Sequence, residues 1–227
     1  AADRNPDPQR FRNQNAAIGP LARLVGERNG VHPYAPPTLD DLFAFVEAYT
    51  GAMGTLAGKT VVQQERVRMV RFDLELKRMP YRPEFVGDAF DGQNPGSLER
   101  QVVAVVRSAG LVARTTFRSF DHRSLPAIRK LEPGLACAVL VEGMVPISPA
   151  HLTRQAGAQI YCPQFEFLDR ELVRQLHAEG IRVVPWTVNT REDCCRLLDW
   201  GIDGLTTDFP DQMAELLKQR GIPEWRE

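Results

Sequence analysis

Apolar residues recur along this chain at two periods, and the alternation between them is the first thing the sequence gives away. Leu39, Leu42, Phe43, Val46 and Tyr49 fall at helical spacing. Thr38 precedes them as a candidate N-cap, with Asp40 and Asp41 in the first turn, where the helix dipole favours acids. After a basic, polar patch, Val67–Lys77 predicts a strand, with apolar and charged side chains alternating from Val70 onward. From there helical and strand patterns take turns. Helices are predicted over Leu98–Ala109, Ser124–Leu131, Ser148–Gln155, Leu168–Glu179, Glu192–Trp200 and Pro210–Arg220. Strands are predicted over Arg114–Phe120, Ala136–Glu142, Ala158–Tyr161, Arg182–Val188 and Gly204–Thr207. Such alternation indicates βα units and a parallel sheet.

No GxGxxG or P-loop glycine pattern occurs at a strand–helix junction, which argues against a dinucleotide-binding domain or a Walker NTPase. A TIM-type (β/α) barrel of the α/β class is the better candidate. Such a barrel closes with eight strands. The pattern supplies about six of the eight βα units, so the other two are expected before Ala1. Residues 1–37 are rich in turn-formers, such as Asn5-Pro6-Asp7-Pro8 and His32-Pro33-Tyr34-Ala35-Pro36-Pro37. They read as an irregular connecting segment, with a helical period only in Leu21–Arg28, and residues 38–227 read as the barrel.

Composition narrows the classes of function. Lys and Arg number 28 against 29 Asp and Glu, so no global field points to nucleic acid or an anionic membrane. No apolar run reaches the roughly 20 residues of a transmembrane segment. The Ala-Ala start and the missing initiator Met lead us to expect a piece of a longer polypeptide. Cys137, Cys162, Cys194 and Cys195 lack CxxC spacing and read as free thiols, which weakly favours a reducing, cytoplasmic setting.

Three segments carry candidate chemistry. In Val70–Lys77 one strand face shows Val70, Phe72, Leu74 and Leu76, and the other shows Arg71, Asp73, Glu75 and Lys77. Four charges on one face of a covered sheet are costly unless they pair or line a polar site, and Glu75 and Lys77 fall at the end where barrels bind ligands. In Val183-Val184-Pro185-Trp186-Thr187-Val188-Asn189 the indole N–H of Trp186 must find a partner. Trp186 either stacks on a ligand at the rim or caps the core. In Gly201-Ile202-Asp203-Gly204-Leu205-Thr206-Thr207-Asp208-Phe209-Pro210, Asp208 reads first as the N-cap of the last helix.

Glu75-Leu76-Lys77, Ser119-Phe120-Asp121, Trp186-Thr187-Val188-Asn189 and the segment Gly201–Pro210 resemble, in order and spacing, the glycerophosphodiester phosphodiesterase family. The Pro37-Thr38-Leu39 helix start fits the same pattern, so the resemblance runs from about Pro36 to Arg220. It implies a β/α barrel that hydrolyses a glycerophosphodiester to glycerol 3-phosphate and an alcohol. It also implies a divalent cation, calcium or magnesium, held by three carboxylates. Glu75 matches the last of these, Lys77 the lysine near the phosphate, and Trp186 the aromatic lining the pocket. Hard oxygen ligands suit such ions, which neutralise charge on phosphoryl oxygens.

The chain also departs from the family. The family's His-Arg-Gly strand, its strand with two acidic ligands and its His-Asp pair do not occur here, and the catalytic histidines are expected before residue 1. His32, His122, His151 and His177 all lie outside such contexts. The chain as written is therefore expected to hold the cation weakly and to catalyse poorly. Three readings follow: the larger part of an ordinary phosphodiesterase, a non-catalytic barrel that binds a phosphodiester, or an incomplete barrel whose missing strands come from an unrelated chain or a second copy by swapping.

Overall fold

The computed structural model describes residues 19–30, 37–145 and 148–222. The chain forms two compact units, residues 1–71 and 72–227. The sheet-bearing unit thus begins at Phe72, whereas the sequence reading began the barrel at residue 38.

In the first unit the described residues are helical. Helix α1, Pro20–Asn29, starts at a proline and ends at Gly30, whose φ of 65° suits glycine. It occupies the only described part of the opening segment with a helical period. Helix α2, Leu39–Thr50, begins as expected at Thr38, whose side chain accepts from the Asp41 amide while the Asp41 carboxylate accepts from the Thr38 amide. Helix α3, Ala52–Leu56, contains Gly54, where an added Cβ would lie 2.0 Å from the Tyr49 carbonyl oxygen. Helix α4, Val61–Arg68, corrects the expected strand over Val67–Lys77. Thr60 and Gln63 make a second reciprocal cap that commits Val67 and Arg68 to helix.

The second unit holds one parallel sheet in the order β1-β2-β3-β4-β5. Its strands are β1, Phe72–Leu76; β2, Thr115–Ser119; β3, Ala136–Val141; β4, Ile160–Pro163; and β5, Arg182–Val183. Between and after them run helices α5, Ser97–Ser108; α6, Ser124–Leu131; α7, Pro149–Gln155; α8, Arg170–Ala178; α9, Arg191–Trp200; and α10, Pro210–Gln219. Helices α6, α7 and α8 pack on β2, β4 and β5. Phe72, Leu76, Phe117, Val139, Tyr161 and Val183 are buried on one face of the sheet, as the alternation in β1 predicts.

The expected strand Arg182–Val188 shrinks to two residues and Gly204–Thr207 is not a regular strand. The reason is Pro185, which has no N–H to give to a ladder. Pairing survives around it: Asp203 N donates to the Val183 carbonyl at 2.9 Å, Thr206 N to the Pro185 carbonyl at 2.9 Å, and Val188 N to the Thr206 carbonyl at 2.8 Å. The sixth segment therefore lies alongside β5, in barrel order.

Candidate functional site at the C-terminal ends of the strands

Strand β1 brings Glu75 and Lys77 together. Lys77 Nζ lies 3.3 Å from Glu75 Oε1, with the lysine 80% exposed and the glutamate 24% exposed. Both sit where β1 ends, and the parallel register places Glu75 beside Arg118 and Asp73 beside Thr116 on the same face. Arg118 Nη1 reaches Asp73 Oδ2 at 2.9 Å and donates to Thr206 Oγ1 at 3.1 Å, so one guanidinium links the first strand to the sixth segment. Its Nε is buried without a hydrogen-bond partner. Burial of part of the Asp73 carboxyl raises its pKa; the Arg118 cation opposes the rise and the Glu75 charge adds to it. Of the four charges read on one face, β1 itself carries Asp73 and Glu75, with Lys77 just past its end; Arg71 precedes the strand, and Arg118 of β2 is the cation that pairs on this side of the sheet.

Trp186 stands at the same end of the sheet, after β5, where it bridges to Gln164 after β4. Its indole N–H donates to the Cys162 carbonyl at 2.9 Å. The ring packs on the buried Ala138, Leu140, Ile160 and Cys162. Phe120 meets it edge-on, with 5.7 Å between ring centroids. Trp186 thus caps the inner core, the second of the two sequence readings, and its ring is half-buried at the rim. Its described contacts are with Phe120 and the core, not with Glu75 or Lys77. Burial in this layer pushes the Cys162 thiol up to about 12.

The other motifs are structural ties. Ser119 Oγ donates to the Leu76 carbonyl at 2.9 Å and locks β2 to β1 just past Glu75. Asn189 and Asp208 interlock: Asn189 Nδ2 donates to Asp208 Oδ2 at 2.7 Å, and Asp208 N donates to Asn189 Oδ1 at 2.9 Å. This corrects the expectation that Asp208 caps the last helix. Pro210 occupies the first helical position, so Phe209 is the N-cap and makes no side-chain cap bond. Asp203 accepts from the Val183 amide at 2.7 Å and from His177 Nε2 at 2.8 Å. His122 Nε2 contacts the Leu140 carbonyl at 2.8 Å. His151 lies on α7, and His32 lies outside the described residues.

Sequence reasoning missed a buried cluster directly behind the site. Arg78 Nη1 and Nη2 each donate to Asp88 at 2.8 Å, and Nε and Nη2 donate to Glu99 at 3.0 and 2.9 Å. The three side chains are 3%, 4% and 0% exposed. The start of α5 holds both acids, with Gly96 N donating to Glu99 Oε2 and Leu98 N to Asp88 Oδ2. Gly96 admits no side chain there, because a Cβ would lie 2.4 Å from Asp88 Oδ2. The Phe90 ring stacks under the Arg78 guanidinium at 4.2 Å. The cluster anchors residues 78–99 at the exit of β1. The available signal was the alternation itself, which turns Arg78 away from Lys77 toward the buried side.

A divalent cation fits these residues poorly. Among the described residues no group of three or more His, Cys, Asp or Glu side chains is placed to hold a metal ion. Glu75 offers one carboxylate with a lysine ammonium against it, and Asp73 is engaged by Arg118.

Known proteins place this arrangement in context. The sequence profile of the glycerophosphoryl diester phosphodiesterase family matches residues 84–212, more than half of the chain. A glycerophosphodiester phosphodiesterase from Caldanaerobacter subterraneus subsp. tengcongensis is 30% identical over 128 residues, 56% of this chain and 51% of that protein. One from Bacillus subtilis is 31% identical over 136 residues, 55% of this chain and 45% of that protein. The chain spans about half the length of these curated relatives. A solved structure from Silicibacter pomeroyi, assigned as a glycerophosphoryl diester phosphodiesterase, superposes with a TM-score of 0.64 at 27% identity, covering 82% of this chain and 58% of that one. An Oleispira antarctica phosphodiesterase, solved with the product sn-glycerol-3-phosphate, gives a TM-score of 0.56 at 18% identity, covering 80% of this chain and 61% of that one.

Proposed function

The chain belongs to the glycerophosphoryl diester phosphodiesterase family, and on that premise we propose that its sheet unit supplies one wall of a site that hydrolyses a glycerophosphodiester to glycerol 3-phosphate and an alcohol. The observation that carries the reading is the Glu75–Lys77 pair at the ligand-binding end of a parallel α/β sheet. In this reading the exposed Lys77 ammonium draws the phosphodiester anion to the rim, Trp186 lines the pocket, and Glu75 is the single carboxylate this rim would offer to a calcium or magnesium ion, too few to hold one by itself.

A second reading, binding of the diester without hydrolysis, is favoured by one observation. Among the described residues no His lies beside the pair: His122 is bonded at Leu140 and His177 at Asp203. General acid–base catalysis needs donors within reach of the leaving oxygen.

One experiment separates the two. The 227-residue chain is incubated with glycerophosphocholine and calcium or magnesium. Glycerol 3-phosphate release is followed by a coupled assay, and binding by calorimetry. Release that disappears with chelator and in Glu75→Gln supports hydrolysis. Binding with no release supports binding without hydrolysis by the 227-residue chain itself. Absence of both overturns the assignment of this rim to glycerophosphodiesters.

A further inference from the structure

Arg78, Arg118 and Arg123 all lie at or near the C-terminal ends of β1 and β2, and two of them are fully engaged. Arg78 directs all three guanidinium nitrogens at Asp88 and Glu99. Arg123 grips Asp121 at two points, Nε on Oδ1 and Nη2 on Oδ2, both at 2.8 Å. Arg118 differs. Its contacts with Asp73 and with Thr206 both run through Nη1. Its Nε is sealed from solvent without a partner, and Nη2, which is not sealed, has no partner among the described residues.

A guanidinium carries its N–H donors in a planar fork, and a buried one normally finds acceptors for them. Arg118 is only 15% exposed, so its charge is largely withdrawn from water while half of its fork stands idle. The parallel register sets it beside Glu75, whose carboxylate lies 3.3 Å from Lys77 Nζ. Two cations thus flank one acid, Lys77 exposed at the rim and Arg118 recessed. Further round, the same face is apolar, with Ala138, Leu140, Ile160 and Cys162 packed against Val184 and Trp186. A phosphodiester has two non-bridging oxygens, and a free guanidinium edge suits one of them.

We propose that Arg118 is a second phosphate-binding residue of this rim: its Nη2 donates to one non-bridging oxygen of the diester while the Lys77 ammonium holds the other. This role rests on the reading of the Glu75–Lys77 rim as a glycerophosphodiester site and adds the residue that completes its countercharge. Glu75 alone gathers too little negative charge to bring in a metal ion, so the two side chains neutralise the phosphate themselves. Asp73 works against the ligand, because it occupies Nη1 and adds a negative charge beside the fork.

The test is calorimetric titration of the full chain with glycerophosphocholine, once in EDTA and once in calcium. The wild type is expected to bind in EDTA. Asp73→Asn frees Nη1 and removes the opposing charge, so it should bind about two- to fivefold more tightly. The double variant Asp73→Asn/Arg118→Met should bind at least about tenfold more weakly than Asp73→Asn, since a hydrogen bond to a charged group is lost. Removing the cation together with its acid leaves no stranded charge, and circular dichroism checks that both variants are folded. A guanidinium that served only to tie β1 to the sixth segment would behave otherwise: Asp73→Asn would loosen the tie and could not tighten binding. Weaker binding by Asp73→Asn than by the wild type, or equal affinity of the two variants, overturns the Arg118 assignment and leaves the rim reading standing. Wild-type binding in calcium but not in EDTA does the same. Wild-type binding in neither buffer overturns both.

Discussion

Arg78 and Asp88 form a buried two-point ion pair, both contacts at 2.8 Å, one residue beyond the proposed phosphate lysine. Glu99 shares the same guanidinium, so one cation answers two carboxylates. Removing one member of a buried ion pair costs about 3–5 kcal/mol, because the other charge is left without compensation. Arg78→Met strands two acids and Asp88→Asn strands none, since Glu99 still answers Arg78. Urea unfolding should therefore show a large loss for Arg78→Met and a smaller one for Asp88→Asn. Equal midpoints for the two variants would contradict a cluster organised around Arg78.

The same pair contributes to the acid limb of stability. Hydrogen bonding to Arg78 holds the Asp88 carboxyl well below its ordinary value of 3.8, against the opposing effect of burial. A carboxyl whose folded pKa is depressed contributes stability that is complete above its unfolded pKa and is lost as pH falls toward the folded value. Melting temperature is thus expected to drop below about pH 4 in the wild type. Asp88→Asn is expected to flatten that drop between pH 4 and 2. An acid limb unchanged by the substitution excludes Asp88 as its source.

Much of this architecture could be read from local chemistry, and the places where it could not share a cause. Thr38 with Asp41, the inward Phe72 and Leu76, and the outward Glu75 and Lys77 follow from spacing within a few residues. The start of β1 was misplaced because Val67 fits a strand period and a helix end equally well, and the Thr60–Gln63 cap decided between them. The role of Asp208 depends on Asn189, 19 residues away, and that of Arg78 on Asp88 and Glu99, up to 21 residues away. Side chains of this kind are fixed by partners that only the fold brings near. Glu75 and Lys77 are separated by one residue, and for that reason the core of the candidate site was legible while its support was not.

Trp186 is predicted to answer differently to two substitutions. Trp186→Phe keeps the ring on Leu140 and Cys162 but removes the N–H that the Cys162 carbonyl accepts, at a cost of about 1–3 kcal/mol. Trp186→Ala also empties the space over that layer and should cost about 3–5 kcal/mol. Chemical denaturation measures both. If the ring serves only the core, glycerol 3-phosphate affinity in the folded Phe variant will equal that of the wild type. A role at the rim predicts that the affinity falls further in the Ala variant than in the Phe variant.

Lys77 should act in opposite directions on two ligands. Its ammonium lies 3.3 Å from Glu75 Oε1, where a calcium ion would compete with it for the one carboxylate. Calcium carries two charges and is usually held by six to eight oxygens, several of them carboxylate, even at sites of about 0.1–1 mM affinity. A lone glutamate facing a lysine is expected to bind more weakly than that. Lys77→Met removes the competing cation, so calcium affinity rises. The gain stays within about fivefold, because a pair this exposed is worth no more than about 1 kcal/mol. The same substitution removes the charge that draws in a phosphate, and glycerol 3-phosphate binding weakens. Titrating the wild type and Lys77→Met with each ligand separately reads both changes. Calcium affinity that falls together with phosphate affinity would mean that Lys77 supports the cation site instead of competing with it, and micromolar calcium binding by the wild type would mean that further oxygen ligands join Glu75.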